Sequence, residues 1–280
     1  MVQPLSSLTC FNHINAIEPI VAGLSSQCYQ VSADNKEFFA KQVTSTRETS
    51  VSLQAAIENI SPKVIFHDKH WLITQYIESK SLALSQQTID EKILITIKLM
   101  AQCHKIAEIP AALAPEAIIH ELINSPHFSN LQQTELLRVA NQLTPQLTHS
   151  KNLVCCHGDL NFSNILISPV KKSYLIDFEC AYSAPAEYDL AMFIAVNHIS
   201  KNKTSTIIDL YKKHSLVEIK PSLLNHYLLF CYFINGLWYM HAYNKTNLLK
   251  FIGLAKQQWQ SIQALDIKLV LDNSHLSNTV

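Results

Sequence analysis

Glycine is scarce here: four residues in 280. So few glycines exclude a multi-glycine fingerprint that cradles phosphate in consecutive turns. An excess of one charge is lacking too, because 22 basic side chains balance 22 acidic ones. Without a block of like charge there is no nucleic-acid groove and no polybasic membrane patch. The seven cysteines are odd in number and form no Cys-x-x-Cys pair, which argues against a disulfide framework or a zinc ribbon. Cys155, Cys156 and His157 are neighbours, but successive strand residues face opposite ways, so one metal is poorly served and buried thiols are expected. Met1 to Ser7 lacks a basic segment followed by an apolar one, so no secretory signal is expected and the cytoplasm is the expected location.

Lys220 to Lys245 encloses no charged residue, yet it contains Asn225, His226, Asn235, His241 and Asn244. That polar content predicts a buried helix lining a pocket, with no stable membrane insertion. With 48% hydrophobic residues, the chain can build one large domain or two coupled lobes.

Apolar runs at Cys28–Ser32 and Glu37–Val43 flank the turn Ala33-Asp34-Asn35-Lys36, which predicts a hairpin. A helix is expected from about Thr46 to Ile60 with Leu53, Ile57 and Ile60 on its stripe, ended by Pro62. Val64–Phe66 and Trp71–Tyr76 predict a further strand pair. After Ser79 the pattern turns helical. Thr88-x-x-Glu91 is a capping box leading into Ile93, Ile97, Met100 and His104, and Pro110 closes that element. Further helices are expected over 116–124, 131–143 and from about Tyr188. Short strands interrupt them at Leu153–Cys156, Ile165–Ile167 and Tyr174–Ile176. The outline is α+β: a small β-rich N-lobe over residues 1–77, a connector near 75–80, and a larger, mainly helical C-lobe over 78–280.

The chemistry concentrates in His157-Gly158-Asp159-Leu160-Asn161-Phe162-Ser163-Asn164, with Asp177-Phe178-Glu179 following thirteen residues later. Phosphoryl transfer needs an oriented acceptor hydroxyl and neutralised phosphate charge more than covalent help. A loop carboxylate can take the hydroxyl proton, and a second carboxylate with an amide oxygen suits magnesium. Asp159 and Asn164 close the two ends of one loop, and Asp177 ends the next strand, so the three can converge.

These residues, with Tyr188-Asp189-Leu190-Ala191 beyond them, resemble the aminoglycoside phosphotransferase and choline kinase superfamily, small-molecule kinases with a protein-kinase-like bilobal fold. The resemblance is strong over 153–195 and spans nearly the whole chain. It implies Asp159 as catalytic base, with His157 beside it in the catalytic loop, and Asn164 and Asp177 as magnesium ligands. His157 and Asp189 would hold the loop in shape. For Asp189 a helix N-cap before Leu190-Ala191-Met192-Phe193 is an equal alternative. Glu179 would touch the acceptor or a metal-bound water.

For the nucleotide, ATP, strand alternation puts Phe39, Lys41 and Val43 on one face, where a lysine needs a partner. Glu48 is the natural one, and Arg47-Glu48 is similar to the family's helix start. Ser45-x-x-Glu48 also reads as a capping box. Ser25 and Ser26, after Gly23, are candidate phosphate contacts. The resemblance also implies adenine contacts by the backbone of Gln75 and Ile77.

Ile234-Asn235-Gly236-Leu237-Trp238 resembles a choline and ethanolamine kinase segment that carries two tryptophans; here the first is Asn235. Trp238 and Asn235 are therefore the candidate acceptor contacts. The expected function is ATP- and Mg2+-dependent phosphorylation of a hydroxyl on a small, cationic metabolite of choline, ethanolamine or thiamine type, a small-molecule alcohol. The alternatives are an antibiotic phosphotransferase, a silent nucleotide-binding module and a protein kinase. Glu179, where protein kinases carry glycine, and the missing glycine loop count against the last.

Overall fold

A computed structural model describes residues 4–20, 26–43, 45–108, 110–124, 128–144, 147, 152–215 and 217–263. Strands dominate the N-terminal region: β1 (Ile14–Ile20), β2 (Cys28–Ala33) and β3 (Lys36–Gln42), then α1 (Thr46–Ile57), β4 (Val64–His67), β5 (Trp71–Gln75) and the short β6 (Lys80–Ser81). Helices α2 (Ile89–Cys103), α3 (Pro115–Ile123) and α4 (Asn130–Leu143) follow. Four short strands come next: β7 (Val154–Cys156), β8 (Ile165–Ile167), β9 (Ser173–Leu175) and β10 (Tyr182–Ala184). The described residues close with α5 (Ala186–Val196), α6 (Thr204–Ser215), α7 (Pro221–Thr246) and α8 (Lys250–Gln263). Among the described residues, no helix is long and apolar enough to cross a membrane.

The chain divides into two compact units. The first combines residues 1–111, 154–183 and 205–217, so the β-rich region and the motif-bearing strands share one unit. Its main sheet is antiparallel, in the order β1-β2-β3-β5-β4. The β2–β3 hairpin turns through Asp34 and Asn35, both at positive φ (50° and 59°), a conformation that these two residues tolerate. Asp34 also caps the preceding segment, because its carboxylate accepts from the backbone N–H of Asn12 and His13. One sheet face packs Val31, Ala33, Phe38, Ala40, Trp71 and Ile73 against Leu5 and Leu8. At the β4–β5 turn, Asp68 Oδ1 accepts from the amides of His70 and Trp71 at 2.7 Å each. β8 pairs with both β6 and β9, and Leu175 N–H donates to the Ile60 carbonyl at 2.7 Å, tying β9 to the end of the α1 region.

Three expectations need correction. β1 was not anticipated, since Pro19 and Glu18 break its pattern; it is an edge strand, the one place where a proline costs no ladder bond. The Leu53–Ile57–Ile60 stripe holds only in part: Ile60 is buried but lies beyond the end of α1, Ile57 is exposed, and on the helix Glu48, Thr49, Val51, Ser52 and Ala55 are buried. Asp189 is no N-cap, because α5 starts at Ala186 behind Pro185 and places Asp189 within the first turn. The Thr88–Glu91 capping box is present in full.

The second unit (112–153, 184–204 and 218–280) is built from α3, α4, α5, α7 and α8. Helix α7 buries Tyr227, Phe230, Phe233 and Leu237. Tyr188 of α5 meets Tyr227 edge-on, at 5.8 Å between ring centroids. The Tyr227 hydroxyl donates to the Leu147 carbonyl at 3.1 Å, which satisfies the polar end of a buried ring. Gly236 lets the indole of Trp259 lie directly on α7, where a Cβ would collide with the ring.

Candidate active site

The first unit links the motif residues bond by bond. Lys41, near the end of β3, is buried, and its Nζ donates to Glu48 Oε1 at 2.6 Å, Asp177 Oδ1 at 2.5 Å and Glu179 Oε2 at 3.2 Å. Glu48 therefore faces the lysine and does not turn back to close a capping box; Ser45 alone caps α1, accepting from Arg47 N–H. Burial by itself would pull the Lys41 ammonium down. Asp177, Glu48 and Glu179 outweigh it and hold the ammonium above its ordinary range. Burial pushes the Glu48 carboxyl up, against the opposing pull of Lys41.

Asp159 and Asn164 stand at the two ends of the loop between β7 and β8. Asn164 Nδ2 donates to both the Asp159 carbonyl (3.0 Å) and its Oδ2 (2.9 Å). Because the amide N–H groups point at Asp159, the Asn164 carbonyl oxygen is the atom a cation would take. Asn164 also accepts Ile176 N–H on its backbone carbonyl at 3.0 Å, placing Asp177 beside it.

His157 is 0% exposed. Its Nε2 donates to the Ile176 carbonyl at 3.0 Å while Nδ1 accepts Asp159 N–H at 3.3 Å, a pattern that needs the neutral Nε2–H tautomer. The ring joins the Asp159 loop to the strand that delivers Asp177. Asp177 itself has φ 71° and ψ 64°, a left-handed backbone rarely adopted by residues other than glycine, asparagine and aspartate. Gly158 (φ 77°) is required twice over, because a Cβ there would also run into the Cys180 carbonyl oxygen. Burial, then the nearby Asp159, Glu179 and Asp177, raises the Cys180 thiol above its usual range and disfavours the thiolate.

Charge and donor type fit a divalent cation. One ammonium faces three carboxylates, leaving uncompensated negative charge beside hard oxygens from Asn164 and Asp177. Other expected contacts are less committed. Ser26 is half-buried just before β2, while Ser25 and Gly23 lie outside the described residues. Gln75 ends β5 with its N–H donated to the Lys63 carbonyl at 2.8 Å, and the Ile77 carbonyl accepts from Ser79 Oγ at 2.9 Å.

In the second unit, Trp238 is 44% exposed and meets Tyr239 and Phe251 edge-on at 5.4 and 6.3 Å. Asn235, one helical turn earlier, has a buried Nδ2 without an acceptor. Arg47 and Gly158 lie inside the motifs and make contacts that the motif spacing does not announce. A glycine beside a strand end in a glycine-poor chain was the available signal for the second.

Residues 16–221 match the profile of the Phosphotransferase enzyme family. The chain belongs to that family. Its fold is shared with choline kinase LicA from Streptococcus pneumoniae, at TM-score 0.71 and 17% identity, over 90% of this chain and 95% of that one. A choline/ethanolamine kinase family protein from Mesorhizobium loti aligns at TM-score 0.68 and 16% identity, over 93% of this chain and 92% of that one. Spectinomycin phosphotransferase APH(9)-Ia, solved with ADP and spectinomycin, aligns at TM-score 0.60 and 17% identity over 89% of both chains. LicA has also been solved with AMP. No curated protein matches this family member.

Proposed function

We propose that this phosphotransferase is an ATP-dependent small-molecule kinase acting on a hydroxyl of a small cationic metabolite of choline, ethanolamine or thiamine type. The observation that carries the reading is the set of bonds joining Glu48, Lys41 and Asp177, and, through the neighbouring Ile176, Asn164 and Asp159. Lys41 anchors the ATP phosphates while Glu48 keeps its ammonium in place. Asn164 and Asp177 hold Mg2+, which supplies neutralisation of the phosphate charge. Asp159 orients the acceptor hydroxyl and takes its proton as the new phosphoester bond forms and the bond to the ADP leaving group breaks. Ser26, Gln75 and Ile77 complete the nucleotide contacts, and the N-lobe/C-lobe division falls near residue 77.

The candidate acceptor contacts are Glu179 in the first unit and Trp238 and Asn235 in the second. Support for a compact cation comes from composition: Pro221 to Gln263 contains no Asp or Glu, so those two helices offer a polycationic antibiotic no carboxylates. An exposed aromatic face remains, worth about 0.5–2 kcal/mol to a cation. The test is Mg2+-dependent ADP release over choline, ethanolamine, thiamine, homoserine, amino sugars and aminoglycosides. Turnover with a small cationic alcohol is expected. Nucleotide binding with no turnover on any acceptor would sink the catalytic reading, and turnover confined to aminoglycosides would replace its substrate class.

A further inference from the structure

Helix α1 sends a second side chain to the site, one turn position before Glu48. Arg47 Nη2 donates to the Glu179 carbonyl at 2.8 Å, and the guanidinium carbon lies 4.1 Å from the centre of the Tyr182 ring. Consecutive residues of α1 thus hold Lys41 of β3 and the turn that follows Asp177. That turn has a backbone to restrain. Asp177 is left-handed (φ 71°), and such conformations persist only where their surroundings over-determine them. Upstream, the restraint is Ile176: its N–H bonds the Asn164 carbonyl and its carbonyl takes His157. Downstream, Ala181 N–H closes onto the Phe178 carbonyl at 3.1 Å, and Arg47 grips the carbonyl between them.

We propose that Arg47 is a positioning residue for phosphoryl transfer. It clamps the Phe178–Ala181 turn to α1 and so keeps the Asp177 carboxylate turned for a divalent cation. The proposal rests on the reading of Asp177 as a metal ligand. Arginine suits the place because its planar fork stacks on Tyr182 while one edge donates in the same plane, a geometry that a tetrahedral lysine ammonium reproduces less well. The buried Nε has no acceptor, so the guanidinium is seated by the ring and the single carbonyl.

The test uses the full chain with Arg47→Met and Arg47→Lys. A fluorescent ADP analogue is titrated with and without Mg2+, and amide hydrogen exchange over Phe178–Ala181 is followed in metal-free protein. Arg47→Met is expected to bind the metal-free nucleotide like the parent but to need about 10-fold more Mg2+ for half-maximal tightening. Exchange at Ala181 rises in the same variant, and Arg47→Lys recovers only part of both effects. Unchanged Mg2+ demand and unchanged exchange in Arg47→Met overturn the proposal while leaving the kinase reading intact. If the parent shows no Mg2+-dependent nucleotide binding, the kinase reading fails and takes the proposal with it. Should Arg47→Met not fold, Tyr182→Leu carries the same two measurements, and parental values there count equally against it.

Discussion

The two units differ in how tightly their chemistry is specified. In the first, nearly every polar side chain of the site is bonded to a named atom, and two backbone positions, Gly158 and Asp177, sit at positive φ to achieve it. In the second, helices are held by ring packing, and its candidate ligand groups are a half-exposed indole and an amide nitrogen without an acceptor. A reaction common to a family constrains atoms; an acceptor that varies between members constrains only a surface. That difference is why the reaction is legible here and the acceptor less so.

The largest expected effect sharpens the contrast from the catalytic side. Asp159→Asn keeps the bond pattern to Asn164 possible but removes the base, so kcat should fall about 10²–10⁴-fold with nucleotide affinity retained. Steady-state kinetics with nucleotide titration checks both halves. The next comparison pits one glycine against another. Gly158→Ala meets a backbone carbonyl that cannot move, at a φ that alanine resists, and should cost roughly 3 kcal/mol in thermal or denaturant unfolding, with most activity lost. Gly236→Ala meets the Trp259 indole, a side chain and not a backbone carbonyl, so roughly 1–2 kcal/mol of repacking is expected with kcat preserved. Equal losses at the two glycines would erase the distinction between the units.

Smaller still, Trp238→Ala should raise the acceptor KM about 2–30-fold at constant kcat, the span that a cation–ring contact allows. A matching loss in kcat would move Trp238 into the catalytic group. The smallest effect is on pH. Burial lowers the His198 pKa, and Gln258 Nε2 approaches its Nδ1 at 3.4 Å. A depressed folded pKa means that the unfolded chain binds more protons just below pH 6.5, so this stability is present above that pH and drains as pH falls through the folded value. His198→Asn, which tolerates the positive φ of 50°, should flatten the acid side of the melting-temperature profile.

What could be read from sequence divides along physical lines. Local chemistry was legible: the Asp34-Asn35 turn, the Thr88 capping box and the convergence implied by short strands around Asp159, Asn164 and Asp177. Features set by tertiary neighbours were not. Helix α1 hides polar residues and exposes Ile57 because its inward face serves Lys41. That inverts the hydrophobic rule used to orient it. β1 carries Pro19 because an edge needs no second ladder. Arg47 was legible only as part of the Arg47-Glu48 helix start; its contact was not, since the target is a backbone carbonyl 132 positions away.

On the proposed kinase reading, the three carboxylates around Lys41 also bear on how a nucleotide is received. A nucleotide approaching without a cation brings negative charge to a place that already holds more than one ammonium can cancel. A nucleotide that arrives with its cation, or after one, meets the opposite situation. On the proposed reading, its phosphates take up the Lys41 ammonium while Asp177 turns to the cation. On the proposed reading, charge alone makes a metal-free nucleotide the weaker ligand and a cation-bound one the stronger.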